Sequence, residues 1–384
     1  MTHVWFISES DLRALAGDLL AAGAEVVAPV AVDACQSPSA IASSACLRPG
    51  AAAVDIEYRL LRDAAELDLG RGLPVLSLKQ LFLPEHEALC RWQQRGVEVT
   101  VEEVPTAFAP RVVLAAKPCD SAALAIVDKV MNWDYADELW NGRRAATTIL
   151  NLACPVIDDS CFCTAVGAAP DDVKGADGLL TPVEGGYVLE VTTEKGRTLA
   201  EAHMARLSTA ADALVAGSDV HRAAARARAA ANLEIDAASV RDWIDTHFED
   251  PLLAALGVRC NGCGACTSVC PTCHCFDIVD EEEGIGRGTR RRCWDTCQAP
   301  TFTLHASGHN PRDDQHVRYR QRINHKFAIY PLKFGEVLCT GCGRCTRVCH
   351  AGQDLVEILQ AIDIAARRPD ATAAAVAGAE PAGS

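Results

Sequence analysis

The chain of 384 residues lacks most of the signatures that would send it to a membrane, a nucleic acid or a nucleotide. Its start, Met1-Thr-His-Val-Trp-Phe-Ile-Ser-Glu-Ser10, has neither a basic leader nor a long apolar run, so no secretory signal is visible. No stretch of about 18 uninterrupted apolar residues occurs, which argues against a membrane span. Positive charge is short: the formal net charge of −15 disfavours nucleic acid as a partner, since phosphate binding needs net or patched positive charge. There is no phosphate-cradling loop. Gly284-Ile-Gly-Arg-Gly288 lacks the strand, spacing and following helix of a dinucleotide fingerprint. No nucleophile stands with a recognisable general base, so the chain is not expected to be catalytic alone. Apolar and charged shares of 49% and 23% are ordinary for a soluble globular protein.

What the chain has in excess is cysteine, 19 residues of it. Without an export signal, so many thiols point to a reducing, cytoplasmic setting and to metal ligation instead of disulfides. Cys260, Cys263, Cys266 and Cys270, followed by Pro271, keep the C-x2-C-x2-C-x3-C-P spacing of bacterial ferredoxins. Cys339, Cys342, Cys345 and Cys349 repeat it, with His350 in place of proline. In two-cluster proteins the fourth cysteine of each run ligates the other cluster. The expected ligand sets are therefore Cys260, Cys263, Cys266 and Cys349 for one [4Fe-4S] cluster, and Cys339, Cys342, Cys345 and Cys270 for the second. Zinc ribbons join two CxxC pairs and do not need this cadence.

Ahead of these runs the pattern is mixed α/β. Ser8 and Asp11 open a helix with Leu12, Leu15, Ala16 and Leu19 on one face, ended by Gly23. Glu25–Val30, Val97–Val104, Arg111–Ala116 and the apolar run 145–153 read as strands, and residues 84–92 as a helix carrying Cys90. Residues 179–183 and 187–193 form a hairpin. The alanine-rich stretch 198–231 reads as two helices broken at Gly217-Ser218. If the strands leading to Cys119 and Cys154 are parallel neighbours, both thiols lie at one sheet edge with Cys161 and Cys163, where open α/β sheets place ligands. Cys119, Cys154, Cys161 and Cys163 are thus the candidate third cluster set; the plain alternative is four small buried residues. Cys35 and Cys46 read as plain thiols.

The expected organisation is an N-terminal α/β domain (1–231), a mostly helical ferredoxin-like domain with two [4Fe-4S] clusters (232–367), and a disordered tail (368–384). The insert, 271–338, carries Cys273, Cys275, Cys293 and Cys297, an acidic run from Asp280 to Glu283, and basic residues up to Lys326 that could dock a partner or offset cluster charge. Cys273, Cys275 and Cys297 are further metal-ligand candidates; His274, His305, His309 and His325 are weaker ones.

Lys117-Pro-Cys-Asp120, Gly142-Arg-Arg144, Cys161-Phe-Cys163, Cys270-Pro-Thr-Cys-His-Cys-Phe-Asp277, Trp294-Asp-Thr-Cys297, Arg318-Tyr-Arg-Gln-Arg322, His325-Lys-Phe327 and the run from Cys339 to Cys349 follow in that order. In these motifs, up to about residue 366, the chain resembles the beta subunit of soluble sulfhydrogenase-type [NiFe] hydrogenases, a family that includes the A subunit of anaerobic sulfite reductase. It departs at His350 and Cys293. The resemblance implies an electron-transfer subunit between [NiFe] hydrogenase catalytic subunits and a flavin subunit that exchanges electrons with NAD(P). The alternative it leaves open is electron delivery in a sulfite or sulfur reductase.

Overall fold

A computed structural model describes residues 4–33, 54–70, 72–104 and 106–368. Cys35, Cys46 and the expected tail beyond Arg368 lie outside the described residues. The strands are β1 (Val4–Ser8), β2 (Glu25–Asp33), β3 (Val54–Leu60), β4 (His86–Arg95), β5 (Glu98–Glu103), β6 (Arg111–Ala116), β7 (Thr147–Leu152), β8 (Gly178–Val183), β9 (Gly186–Val191), β10 (Ser208–Thr209), β11 (Phe276–Gly284) and β12 (Arg287–Trp294).

Eight strands form one sheet in the order β10-β1-β9-β8-β7-β6-β2-β3. Its centre, β2, β6, β7 and β8, is parallel, and the flanks are antiparallel. The central strands β6 and β7 are buried along nearly their whole length because helices cover both faces. On one face Leu12, Leu15, Ala16 and Leu19 of the helix Glu9–Ala21 pack under the sheet. Ser8 caps that helix, its hydroxyl accepting from the Asp11 N–H at 3.0 Å. Leu124 and Val127 of the helix Pro118–Met131, with Phe82 and Trp140, fill the other face.

Two local expectations fail. Residues 84–92 are not helical: β4 takes them from His86 onward, running on to Arg95. Glu87-Ala-Leu89 and Gln93-Gln94 are good helix formers, but β4 is paired on both sides, by β12 and β5, and those ladders override local propensity. The buried Glu87 carboxylate holds the strand further, accepting from Arg143 and from Arg292 Nε at 3.0 Å. The alanine-rich stretch breaks at 203–211 instead of at Gly217-Ser218. Its second helix, Asp212–Ala230, passes through both residues, and the fully buried Ser218 turns its hydroxyl onto the Val215 carbonyl at 2.7 Å. The break falls where Ser208–Thr209 leaves the helix to pair with β1.

The second sheet, β11-β12-β4-β5, takes strands from both sides of residue 232. The cluster-bearing segment, expected to be mostly helical, therefore carries a β-hairpin in its insert. A separate core of Phe162, Leu253, Tyr319, Ile323, Phe327, Leu355 and Leu359 holds the C-terminal helices together beside the cysteine runs.

Candidate iron–sulfur sites

Both cysteine runs adopt one local shape. Gly262 and Gly264 have φ of +75° and +77°, and Gly341 and Gly343 have +62° and +70°. Each run then enters a single helical turn, Ala265–Ser268 or Arg344–Arg347. At Gly341 the conformation and the space agree: a Cβ there would lie 2.5 Å from the backbone of Cys163. The second run is pressed onto the 158–163 loop, and Phe162 donates its N–H to the Gly341 carbonyl at 2.7 Å.

Cys260, Cys263, Cys266 and Cys349 line one cavity, with Gln298, Tyr319 and Arg322 in its wall. Gln315 Nε2 donates to Cys260 Sγ at 3.3 Å, and the Gln353 N–H to Cys349 Sγ at 3.2 Å. Burial pushes the Cys266 thiol up to about 12, whereas Cys263 is exposed.

Cys270, Cys339, Cys342 and Cys345 line a second cavity with Phe162 and Lys326. Lys326 Nζ donates to Cys270 Sγ at 3.4 Å, and the Gly341 N–H to Cys339 Sγ at 3.4 Å. Burial pushes Cys339 up to about 12. Lys326 reaches inward because the helix Gln315–Asn324 widens into a π-turn at His325–Ile329. In both runs the fourth cysteine lines the cavity of the other run.

Cys119, Cys154, Cys161 and Cys163 line a third cavity, which Lys117, Gly341 and Cys342 complete. Strands β6 and β7 are parallel neighbours, so Cys119, opening the helix after β6, and Cys154, just past β7, meet beyond the same edge. Burial pushes Cys154 up to about 11 and Cys163 to about 12.

Of the insert cysteines, Cys273 accepts from Arg322 Nη1 at 3.5 Å and Cys297 from Gln298 Nε2 at 3.4 Å. Cys293 instead sits on β12 with its sulfur 3.4 Å from His86 Nδ1. The histidines pair among themselves, His274 with His325 and His305 with His309, and none lines the three cavities. Sequence reasoning missed Lys79, Tyr58 and the Arg344–Asp120 pair: a lone lysine, tyrosine or arginine carries no spacing signal.

The residues fit iron–sulfur groups. Each cavity is lined by at least four thiols, and in the first two, sulfurs accept N–H bonds. The buried cations Arg322 and Lys326 bond only to sulfur, a hydroxyl and backbone carbonyls, with no carboxylate among their partners. Among the described residues, no three His, Cys, Asp or Glu side chains converge closely enough for a single metal ion. No described helix is long and apolar enough to cross a membrane.

Residues 259–353 match the family model of the 4Fe-4S dicluster domain. The chain is 28% identical over 299 residues to Sulfhydrogenase 2 subunit beta of Pyrococcus furiosus, covering 77% of this chain and 86% of that protein. The C-terminal part is thus a ferredoxin-type iron–sulfur domain, and the chain is similar over about three quarters of its length to a sulfhydrogenase beta subunit.

Proposed function

We propose that this chain, an iron–sulfur electron-transfer subunit of sulfhydrogenase type, relays electrons between a [NiFe] hydrogenase module and a flavin subunit that binds NAD(P). The continuity of its thiol-lined cavities carries the reading. Arg322, Cys345 and Leu355 line both the first and the second cavity, and Cys342 lines both the second and the third. Sites that share walls in this way form a row along which an electron can hop.

The ligand sets in this reading are Cys260, Cys263, Cys266 and Cys349; Cys339, Cys342, Cys345 and Cys270; and, as a third cluster, Cys119, Cys154, Cys161 and Cys163. An iron–sulfur cluster supplies reversible one-electron storage when bound. The chain's own residues set its conditions. Lys326 and the Gly341 N–H stabilise the sulfur charge of the second set, and Gln315 and the Gln353 N–H that of the first, which favours the reduced state. The row reaches the surface at both ends, at the exposed Cys263 and at Val156 (58% exposed) on the rim of the third cavity.

The test is anaerobic isolation of the tagged chain with its native partners, followed by EPR under hydrogen. Cluster signals that appear under hydrogen and fade on adding NADP+ support the proposal. Clusters that ignore hydrogen but are oxidised by sulfite overturn the hydrogenase part and leave a reductase relay.

A further inference from the structure

The insert gathers thiols that the three cavities do not use. Cys273 and Cys275 precede β11, and Cys297 follows β12, so the hairpin brings its two ends together. The Asp295 N–H donates to the Cys275 carbonyl at 3.0 Å, and the free thiols of Cys275 and Cys297 are near neighbours. Cys273 lies beside Cys270 of the second site. The Arg322 guanidinium and the Gln298 amide aim N–H groups at Cys273 and Cys297. Sulfurs that accept such bonds are presented as electron-pair donors, the state a metal ligand needs.

Charge is a second, independent observation. Lys79, only 4% exposed, lies in the helix Lys79–Phe82, far from the insert in sequence. Its ammonium donates to the Thr267 carbonyl at 3.3 Å and sits 3.8 Å from the centre of the Trp294 ring. No carboxylate is among its partners; the titratable groups it faces are the thiols of Cys273, Cys270 and Cys275 and the ammonium of Lys326. A buried cation with no anion is costly. Lys326 already meets the sulfur of Cys270, and Arg322 is shared between Cys273 and the walls of the first two cavities, which leaves Lys79 as the further cation beside the insert thiols.

We propose that Cys273, Cys275 and Cys297 bind one further iron–sulfur cluster through three thiolates, beside the second site, with Lys79 and Arg322 as its counter-charge. The proposal rests on the iron–sulfur reading of the chain and goes beyond it in the number of clusters and in the role of Lys79. By contrast, Cys90 and Cys293 lie on the strands of the second sheet, opposite Arg290 and His86.

Native mass spectrometry of the full anaerobic chain counts clusters directly. Cys297→Ala and Cys275→Ala should each carry one cluster fewer than the parent, while the EPR signal of the reduced ferredoxin-type pair persists. The same step should appear in a Cys163→Ala background, which keeps the count independent of the third cavity. Cys293→Ala should leave the count unchanged. An unchanged count in both Cys275→Ala and Cys297→Ala, or a mass two protons lighter from a Cys275–Cys297 disulfide, overturns the proposal while the ferredoxin pair stands. If the alanine variants lose every cluster, the Cys163→Ala chain decides alone: three clusters support a filled insert site and two overturn it.

Discussion

The Arg344 guanidinium closes a two-pronged ion pair on Asp120, Nη1 to Oδ1 at 2.6 Å and Nη2 to Oδ2 at 2.7 Å, with both side chains sealed from solvent. Arg344 stands between Cys342 and Cys345 of the second run, and Asp120 follows Cys119 of the third set. The pair therefore fixes the separation of two thiol-lined cavities. Tyr58 donates its hydroxyl proton to Asp120 at 2.8 Å and accepts the Lys117 N–H at 2.9 Å, and Arg344 Nε reaches the Pro74 carbonyl at 2.8 Å.

Removing one partner leaves the other charge buried and alone, so Arg344→Met or Asp120→Asn should each cost about 3–5 kcal/mol of stability. The double variant Arg344→Met/Asp120→Asn should cost clearly less than the sum. Anaerobic denaturant titration of the three chains checks this. Additive losses would mean that the pair does not act as a unit.

The crossed ligand sets make a directional prediction. Cys270 belongs to the first run by sequence but lines the second cavity. Cys270→Ser should therefore damage the cluster nucleated by Cys339, Cys342 and Cys345 and leave the Cys260 set intact, read by EPR of the reduced variant. Selective loss of the Cys260-set signal would refute the crossing.

Gly341 offers a test that touches no thiol. An added methyl would meet the backbone of Cys163 at 2.5 Å and impose a positive φ on alanine. Gly341→Ala should cost roughly 1–3 kcal/mol and displace the 158–163 loop. Iron should then be lost from the Cys119 set, although all four of its cysteines remain. A Gly341→Ala chain with full iron and parent stability would show that the close approach does not hold the site.

How much of this was legible in the sequence depends on whether the signal was local. The two four-cysteine runs and the capped first helix could be read because their information lies within a dozen residues. The meeting of Cys119 with Cys154 followed from two apolar strands that each run on into a cysteine, given a parallel pairing. β4 could not be read, because its strand character comes from pairing on both sides, with β5 and with β12, the latter some 200 residues away. Nor could Lys79 or Arg344: their roles come from what surrounds them in space.

His325 gives a pH prediction. Burial first, then the cations around it, depresses its pKa to about 3, so it is neutral when folded. The unfolded chain takes up that proton near pH 6.5, which the folded chain refuses. Stability should therefore fall as pH drops from about 6.5 toward 3, by up to about 1.4 kcal/mol per unit from this residue. His325→Gln should flatten that slope in anaerobic thermal scans between pH 7.5 and 5.5. An equal slope in the variant would assign the acid sensitivity to other groups.

The central claim is that these cysteines hold iron–sulfur clusters in a row. Iron and acid-labile sulfide per chain, measured on anaerobically purified protein with EPR of the reduced sample, test it most directly. The account predicts brown protein with about twelve irons or more, matching sulfide, and signals broadened by neighbouring clusters. Colourless, air-tolerant protein containing zinc, made under iron-replete conditions, would contradict it.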